Sequence, residues 1–253
     1  MSTPNAAFAS PEPGNPPALS EPQRIINTFI APTKTFEDIR RNASWWAPFL
    51  LLVIVSYITV FTMQSRIGME QMVENAMTKN PKAAARLEQM SPDQRDQAIQ
   101  MQVKISKVFM YIVPVATLIA ALIIAGILLG TFNFGLGAQI KFANAMAIVM
   151  YSFLVTIVSS AFMILMMFLV QPDSFDPNNP VMSNPAYLMD SAAHPFLYRI
   201  ASAFDIFVIW MIFLMAIGFS THSKVKRSTA FFTIFGWFIF WKLITGGFAL
   251  AFS

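Results

Sequence analysis

The chain predicts an all-α, polytopic integral membrane protein, a five-helix transmembrane bundle with short interfacial helices at its N-terminus. Three observations carry this. Apolar blocks occupy 47–63, 109–130, 145–170, 203–219 and 229–252. A hydrocarbon core about 30 Å thick takes ~20 helical residues at ~1.5 Å each, so each block approaches one crossing. The first and fourth are short, and flanking polar and aromatic residues complete them. The charged fraction is 12%, about half the ~25% of soluble domains, and of all charges only Asp205 and Lys242 fall inside a block. Finally, the blocks lack period-2 alternation. A backbone in lipid must satisfy its own hydrogen bonds, so they are helices and not barrel strands.

The first 23 residues carry Pro4, Pro11, Pro13, Pro16, Pro17 and Pro22 and little to bury. They read as a disordered tail, with a membrane domain over 24–253. The tail lacks the basic-then-apolar pattern of a signal peptide, so the first span serves as the insertion signal. In 24–42, Ile25, Ile26 and Phe29 share one side of a short helix, Pro32 interrupts it, and Phe36 and Ile39 give a second apolar face. Lys34, Arg40 and Arg41 are left for water. Two such pieces either lie along the membrane surface or pack on the bundle's own loops. Trp45 and Trp46 then stand at the mouth of the first span, where paired tryptophans act as interface anchors.

Residues 66–107 form the one long soluble loop before the second span. Met69, Met72, Val73 and Met77 recur at helical spacing, Asn80-Pro81 reads as a helix start, and Ser91 with Gln94 has capping-box spacing. A helix from there runs through Ile99, Val103 and Val108 into the second span. The loop is a small helical cap whose methionine stripe packs on the bundle or grips a partner helix. In the second span Gly126 and Gly130 form a GxxxG pair, which lets another backbone approach closely, within the chain or between chains. The third span carries Asn144, Ser152, Thr156 and Ser160 on one face. Hydroxyls at that spacing suit helix packing, and a solute path would use the same residues. Asp173, Asp176, Asp190 and His194 in loop 171–200 fit no metal-ligand spacing, and such loops usually form turns.

Asp205 and Lys242 both lie about 21–22 Å along their helices from the turn that joins the last two spans. Equal depth on neighbouring antiparallel helices predicts an intramembrane ion pair, since a lone charge there is costly. The chain has no cysteine, which excludes disulfides and thiol chemistry. Its net charge of +4 is scattered at span edges, which excludes nucleic acid as a partner. No cofactor motif and no metal-ligand set is present. With five crossings, Arg24, Lys34, Arg40, Arg41, Lys141, Lys224, Lys226 and Arg227 lie on one side. Arg66, Lys79, Lys82, Arg86, Arg95, Lys104, Lys107 and Arg199 lie on the other. Cation counting gives a tie, and the anchor before the first span assigns the N-terminus to the cytoplasm.

Three stretches together resemble a known family. They are IINTFIAPTKTFEDIRRNASWWAPF at 25–49, GLGAQIKFANAMAIVMYSF at 135–153 and FDIFVIWMIFLMAIGFSTHSKVKRSTAFFTIFGWFIFWKL at 204–243. In order and spacing they resemble the YIP family of five-span membrane proteins, in its bacterial branch. The resemblance implies a cytoplasmic N-terminus and a bacterial inner-membrane location. Eukaryotic members bind Rab-type small GTPases. The aspartate-leucine-tyrosine-glycine-proline element they carry before the first span is replaced here by Ser44-Trp45-Trp46-Ala47-Pro48, so the resemblance does not carry GTPase binding over. A non-enzymatic scaffold or adaptor is the first functional expectation. A small-solute transporter or channel using the third span's polar face with Asp205 and Lys242 is the alternative. Intramembrane catalysis ranks last, because no nucleophile or metal motif occurs. The partners expected are the lipid bilayer, a second copy of the chain or other membrane proteins.

Overall fold

The computed structural model describes residues 17–189, 193 and 195–251. The expected tail over 1–16 therefore lies outside the described residues. Every regular element among those described is helical: α1 (Glu21–Ile30), α2 (Pro32–Ile39), α3 (Trp46–Arg66), α4 (Met69–Thr78), α5 (Pro81–Glu88), α6 (Pro92–Gly130), α7 (Phe142–Phe153), α8 (Val155–Leu169), α9 (Pro195–Ala203), α10 (Ile206–Thr221) and α11 (Arg227–Ala251). The all-α class expected from hydropathy is what the structure has. Four helical segments are long and apolar enough to cross a membrane, and Ile206–Thr221 is a shorter apolar helix beside them. The expected five-helix count is thus four long helices plus one of 16 residues, about 24 Å by helical rise.

The second block extends far beyond the bilayer. Ser91 and Gln94 form the full capping box, with Pro92 in the first turn. From there 39 residues run unbroken, about 58 Å. That is about twice one crossing, and the first turns of α6 carry the cap. Met69 and Val73 of α4 are buried against Ile99 and Val103, with Met77 and Met110 beside them. Met69, Val73 and Met77 of the stripe are therefore occupied by this chain's own α6, while Met72 packs with Met63, Ile67, Met167 and Phe175. After Gly130 the connector begins as a π-helical turn, Thr131–Gly135.

α7 is the central helix. Every residue from Asn144 to Phe153 is buried, packed among α2, α3, α6 and α10. The third block is interrupted at one residue: α7 ends at Phe153 and α8 starts at Val155. Two hydroxyls flank the interruption. Ser152 donates to the Ile148 carbonyl at 2.8 Å and Thr156 to the Phe153 carbonyl at 2.8 Å. Such back-bonding competes with the backbone ladder and bends helices.

Cross-contacts sort the loops into two ends. At one end Asn144 donates to the Ile39 carbonyl at 3.1 Å, and Arg227 to the Thr33 hydroxyl at 3.0 Å. At the other, Asn75 donates to the Pro172 and Phe175 carbonyls, and Lys79 to the Ser174 carbonyl. α1 and α2 therefore share an end with connector 131–141 and turn 222–226.

Candidate functional site

The N-terminal pair α1–α2 holds the densest buried polar constellation among the described residues. Its start was not foreseen. Ser20 and Gln23 make a capping box and Pro22 stands in the first turn, where it forfeits no hydrogen bond. The helix thus begins inside the stretch read as tail, and the tail boundary at residue 23 is corrected to before Ser20. The two helices fold back on each other. The Thr28 and Thr35 hydroxyls both donate to the Arg24 carbonyl, at 2.8 and 3.0 Å. Phe36 and Ile39 are fully buried in the main core. Of the two placements left open by the sequence, α2 takes a third: it packs into the bundle itself, against α7 and α10.

Arg24 sits at the centre, 2% exposed. Its Nε donates to Asp38 Oδ2 at 2.7 Å and its Nη1 to Glu21 Oε1 at 3.2 Å. The Leu19 amide donates to Asp38 Oδ1 at 3.3 Å, and Arg41 lies 3.6 Å from the same oxygen. The Tyr151 hydroxyl of α7 donates to Glu21 Oε2 at 2.6 Å. Burial opposes the Arg24 charge, but the hydrogen bond to Asp38 and the charges of Asp38 and Glu21 outweigh it, so its pKa lies above the usual arginine value. A buried arginine with two carboxylates and a phenol is a lock: it ties residues 21, 24, 38 and 151 into one geometry. Sequence reading counted Arg24 as an edge charge and passed over Asp38. The available signal was Arg24 with Thr28 on the side of α1 opposite Ile26, and a tyrosine deep in an otherwise apolar span.

Beside the lock, His222 caps the end of α10. Its Nδ1 meets the Gly218 carbonyl at 2.9 Å, and its buried Nε2 has no partner. Burial is the main cause that lowers its pKa below the ordinary 6.5; the Gly218 carbonyl opposes this and the Arg40 charge adds to it. The unfolded chain then binds more protons than the folded one as pH falls below about 6.5, so stability falls with it. Replacing His222 with Gln should flatten that acid-side loss in a thermal-unfolding series over pH.

The predicted Asp205–Lys242 ion pair is not formed. Asp205 stands one residue before α10 as its N-cap, accepting from the Phe207 and Val208 amides at 2.8 and 3.3 Å and from the Ser183 hydroxyl. It lies at the helix end and not at mid-depth, because capping orphan amides satisfies a carboxylate better than burial inside the span does. Lys242 is exposed, its Nζ 5.6 Å from the Phe238 ring centre. Asp205→Ala should cost about 0.5–2 kcal/mol through the lost cap. Lys242→Ala should change little, and the double variant should be additive in a chemical-denaturation cycle.

The GxxxG pair likewise makes no close contact within the chain: a Cβ added at Gly126 or Gly130 meets nothing within 4 Å. The close approach is at Gly218 instead, where an added Cβ strikes Ile148 and comes within 3.2 Å of Phe36. Gly126→Ile with Gly130→Ile should not destabilise the monomer, since the added side chains meet open space and isoleucine is the better helix former. Only dimer content by crosslinking should respond, if these glycines meet a second copy.

The remaining predicted residues are scattered. Ser152 is buried and bonded within α7, Thr156 is exposed and bonded back to the last residue of α7, and Ser160 is half-buried on α8. These hydroxyls do not share one environment: only Ser152 is buried. Trp45 is half-buried with its ring 6.1 Å from that of Phe49, while Trp46 is 58% exposed at the start of α3. Trp46 is the one positioned to meet an interface. Asp190 and His194 lie outside the described residues. Among the described residues no group of three or more His, Cys, Asp or Glu is placed to hold a metal ion.

The family model for the Yip1 domain matches residues 26–248. No curated protein and no solved structure matches the chain. Asp38, Tyr151 and Gly218 all lie inside the matched region, and Glu21 and Arg24 just before it. The match spans nearly all of the apolar helices and agrees with the resemblance carried by the three stretches, so this multi-pass membrane protein belongs to the Yip1 family.

Proposed function

We propose that the protein is a non-enzymatic membrane scaffold or adaptor of the bacterial inner membrane, with its N-terminal end in the cytoplasm. One observation carries the reading. The α1–α2 hairpin is held on the bundle by the Arg24 lock on its inner side, while Lys34, Glu37 and Arg40 on its outer side are exposed. A segment fixed inside and charged outside is a rigid platform for recruiting other membrane proteins or further copies. The transporter alternative has less support: Ser152 and Thr156 bond their own backbone and Asp205 caps a helix. Small-GTPase binding is not part of the proposal, given Ser44-Trp45-Trp46-Ala47-Pro48 before the first span.

Two experiments test this. Crosslinking and pulldown of the full chain from native membranes should recover a specific membrane partner or a second copy. Reconstituted liposomes should show no solute flux above empty ones. Flux without a partner would reverse the ranking. For orientation, the chain has no cysteine, so single replacements report cleanly. Pro185→Cys should react with an impermeant maleimide in intact cells and Ala6→Cys should not; the opposite pattern would invert the topology.

A further inference from the structure

The two ends of the molecule carry equal numbers of cations but opposite surroundings. At the N-terminal end Lys34, Arg40, Lys141, Lys224, Lys226 and Arg227 are exposed, and Glu37 is the one fully exposed acid among the described residues there. The other two acids among the described residues of that end, Glu21 and Asp38, are bound by Arg24. At the opposite end the cations are interspersed with exposed Glu70, Glu88, Asp93, Asp96 and Asp173. Among the described residues the field of the first end is therefore largely uncompensated, and that of the second is nearly cancelled.

The fold gathers these cations. Asn144 bonded to the Ile39 carbonyl holds the end of α2, with Arg40, against the start of α7, whose N-cap is Lys141. Arg227 bonded to Thr33 holds the turn bearing Lys224 and Lys226 against the start of α2, beside Lys34. The same end has an outward apolar rim: Ile26 is 58% exposed, Ile30 74% and Phe142 45%. α1 thus buries Arg24 and Thr28 and packs Ile25 and Phe29 on the core, while Ile26 and Ile30 face outward. A layer of exposed cations next to outward isoleucines matches a phospholipid, headgroup to the charges and acyl chains to the rim. A soluble acidic protein or a free anion would leave the isoleucines uncovered.

We infer that the end of the molecule formed by α1–α2, Lys141 and turn 222–226 is a binding surface for anionic phospholipid headgroups. The contact is electrostatic and apolar together, so it selects by headgroup charge at constant acyl chain. It is independent of whether the protein recruits partners or moves a solute.

The test uses the full-length chain in non-ionic detergent, titrated with phosphatidylglycerol or with phosphatidylcholine of the same acyl chains, bound lipid being read by native mass spectrometry. Phosphatidylglycerol should bind at least tenfold more tightly. Each basic residue near an anionic surface is worth about fivefold in binding, so Lys224→Gln with Lys226→Gln should weaken it by about 25-fold. Lys79→Gln with Arg86→Gln, at the opposite end, should leave it within about twofold. Raising salt from about 0.1 to 0.5 M should weaken the wild-type interaction, a check that needs no variant. Soluble glycerol 3-phosphate should not compete at matched concentration. Equal binding of the two lipids, equal loss in the two variants, or competition by glycerol 3-phosphate would each overturn the inference.

Discussion

Replacing Arg24 with Ala should be among the most damaging single changes in this chain, costing about 3–5 kcal/mol. The reason is what is left behind. Asp38 is 2% exposed and would keep only the Leu19 amide and the more distant Arg41. Glu21 would lose its cation while still holding the Tyr151 hydroxyl. A buried carboxylate stripped of its partner bears its desolvation without compensation. Replacing both Arg24 and Asp38 with Leu should recover much of the loss, because apolar residues of similar volume often substitute for a buried pair. Chemical denaturation of the purified protein measures both, and additive losses in the cycle would show that the two residues act separately. Tyr151→Phe offers a milder variant that removes one hydrogen bond, for about 1 kcal/mol. It should loosen α1 without unfolding the bundle, seen as faster proteolysis at the N-terminus.

The second large effect is expected at Gly218. Here α10 crosses α7 and α2 with no room for a side chain: an added Cβ would overlap Ile148 and approach Phe36 to 3.2 Å. Both neighbours are fully buried, so neither can swing aside. Gly218→Ala should cost about 1–3 kcal/mol as overpacking, more than offsetting alanine's better helix propensity, and Gly218→Leu should abolish folded protein in detergent. Ile148→Ala removes the atoms that clash. The double variant Gly218→Ala with Ile148→Ala should therefore be more stable than the sum of the single losses predicts. Thermal unfolding with size-exclusion recovery reads the series.

The contrast between Gly218 and the Gly126–Gly130 pair marks where sequence reading stops in a membrane protein. Lipid tails and a protein interior are equally apolar, so hydropathy does not distinguish a helix face that packs from one that meets lipid. A GxxxG spacing drew attention to Gly126 and Gly130, whose surroundings are open. Among the described glycines, Gly218, in no motif, is the one pressed against its neighbours. The same limit applies to charges. Asp205 and Lys242 stood out because they interrupt apolar blocks, yet one is a helix cap and the other is exposed. Arg24 and Asp38 drew no notice among ordinary edge charges, and they form the buried pair. Equal helical distance from a shared turn says nothing about which way two side chains point. Pairing across 14 and 130 residues, as in Arg24–Asp38 and Glu21–Tyr151, leaves no trace in local periodicity.

What the sequence determined by itself is whatever local physics dictates. Apolar runs of bilayer length forced helices, because no other backbone is satisfied in lipid. Ser91, Pro92 and Gln94 placed the start of α6, because capping involves neighbouring residues only. The order of three apolar and basic stretches pointed to the family that the Yip1 domain match establishes. The tertiary structure decided the rest. It buried one face of α2 with Arg24 and Thr28 of α1, chose Gly218 as the crossing point, interrupted the third span at Leu154 and gathered six exposed cations at one end. Each of these depends on which faces meet, and that is set by close packing and by the pairing of buried polar groups among helices far apart in the chain.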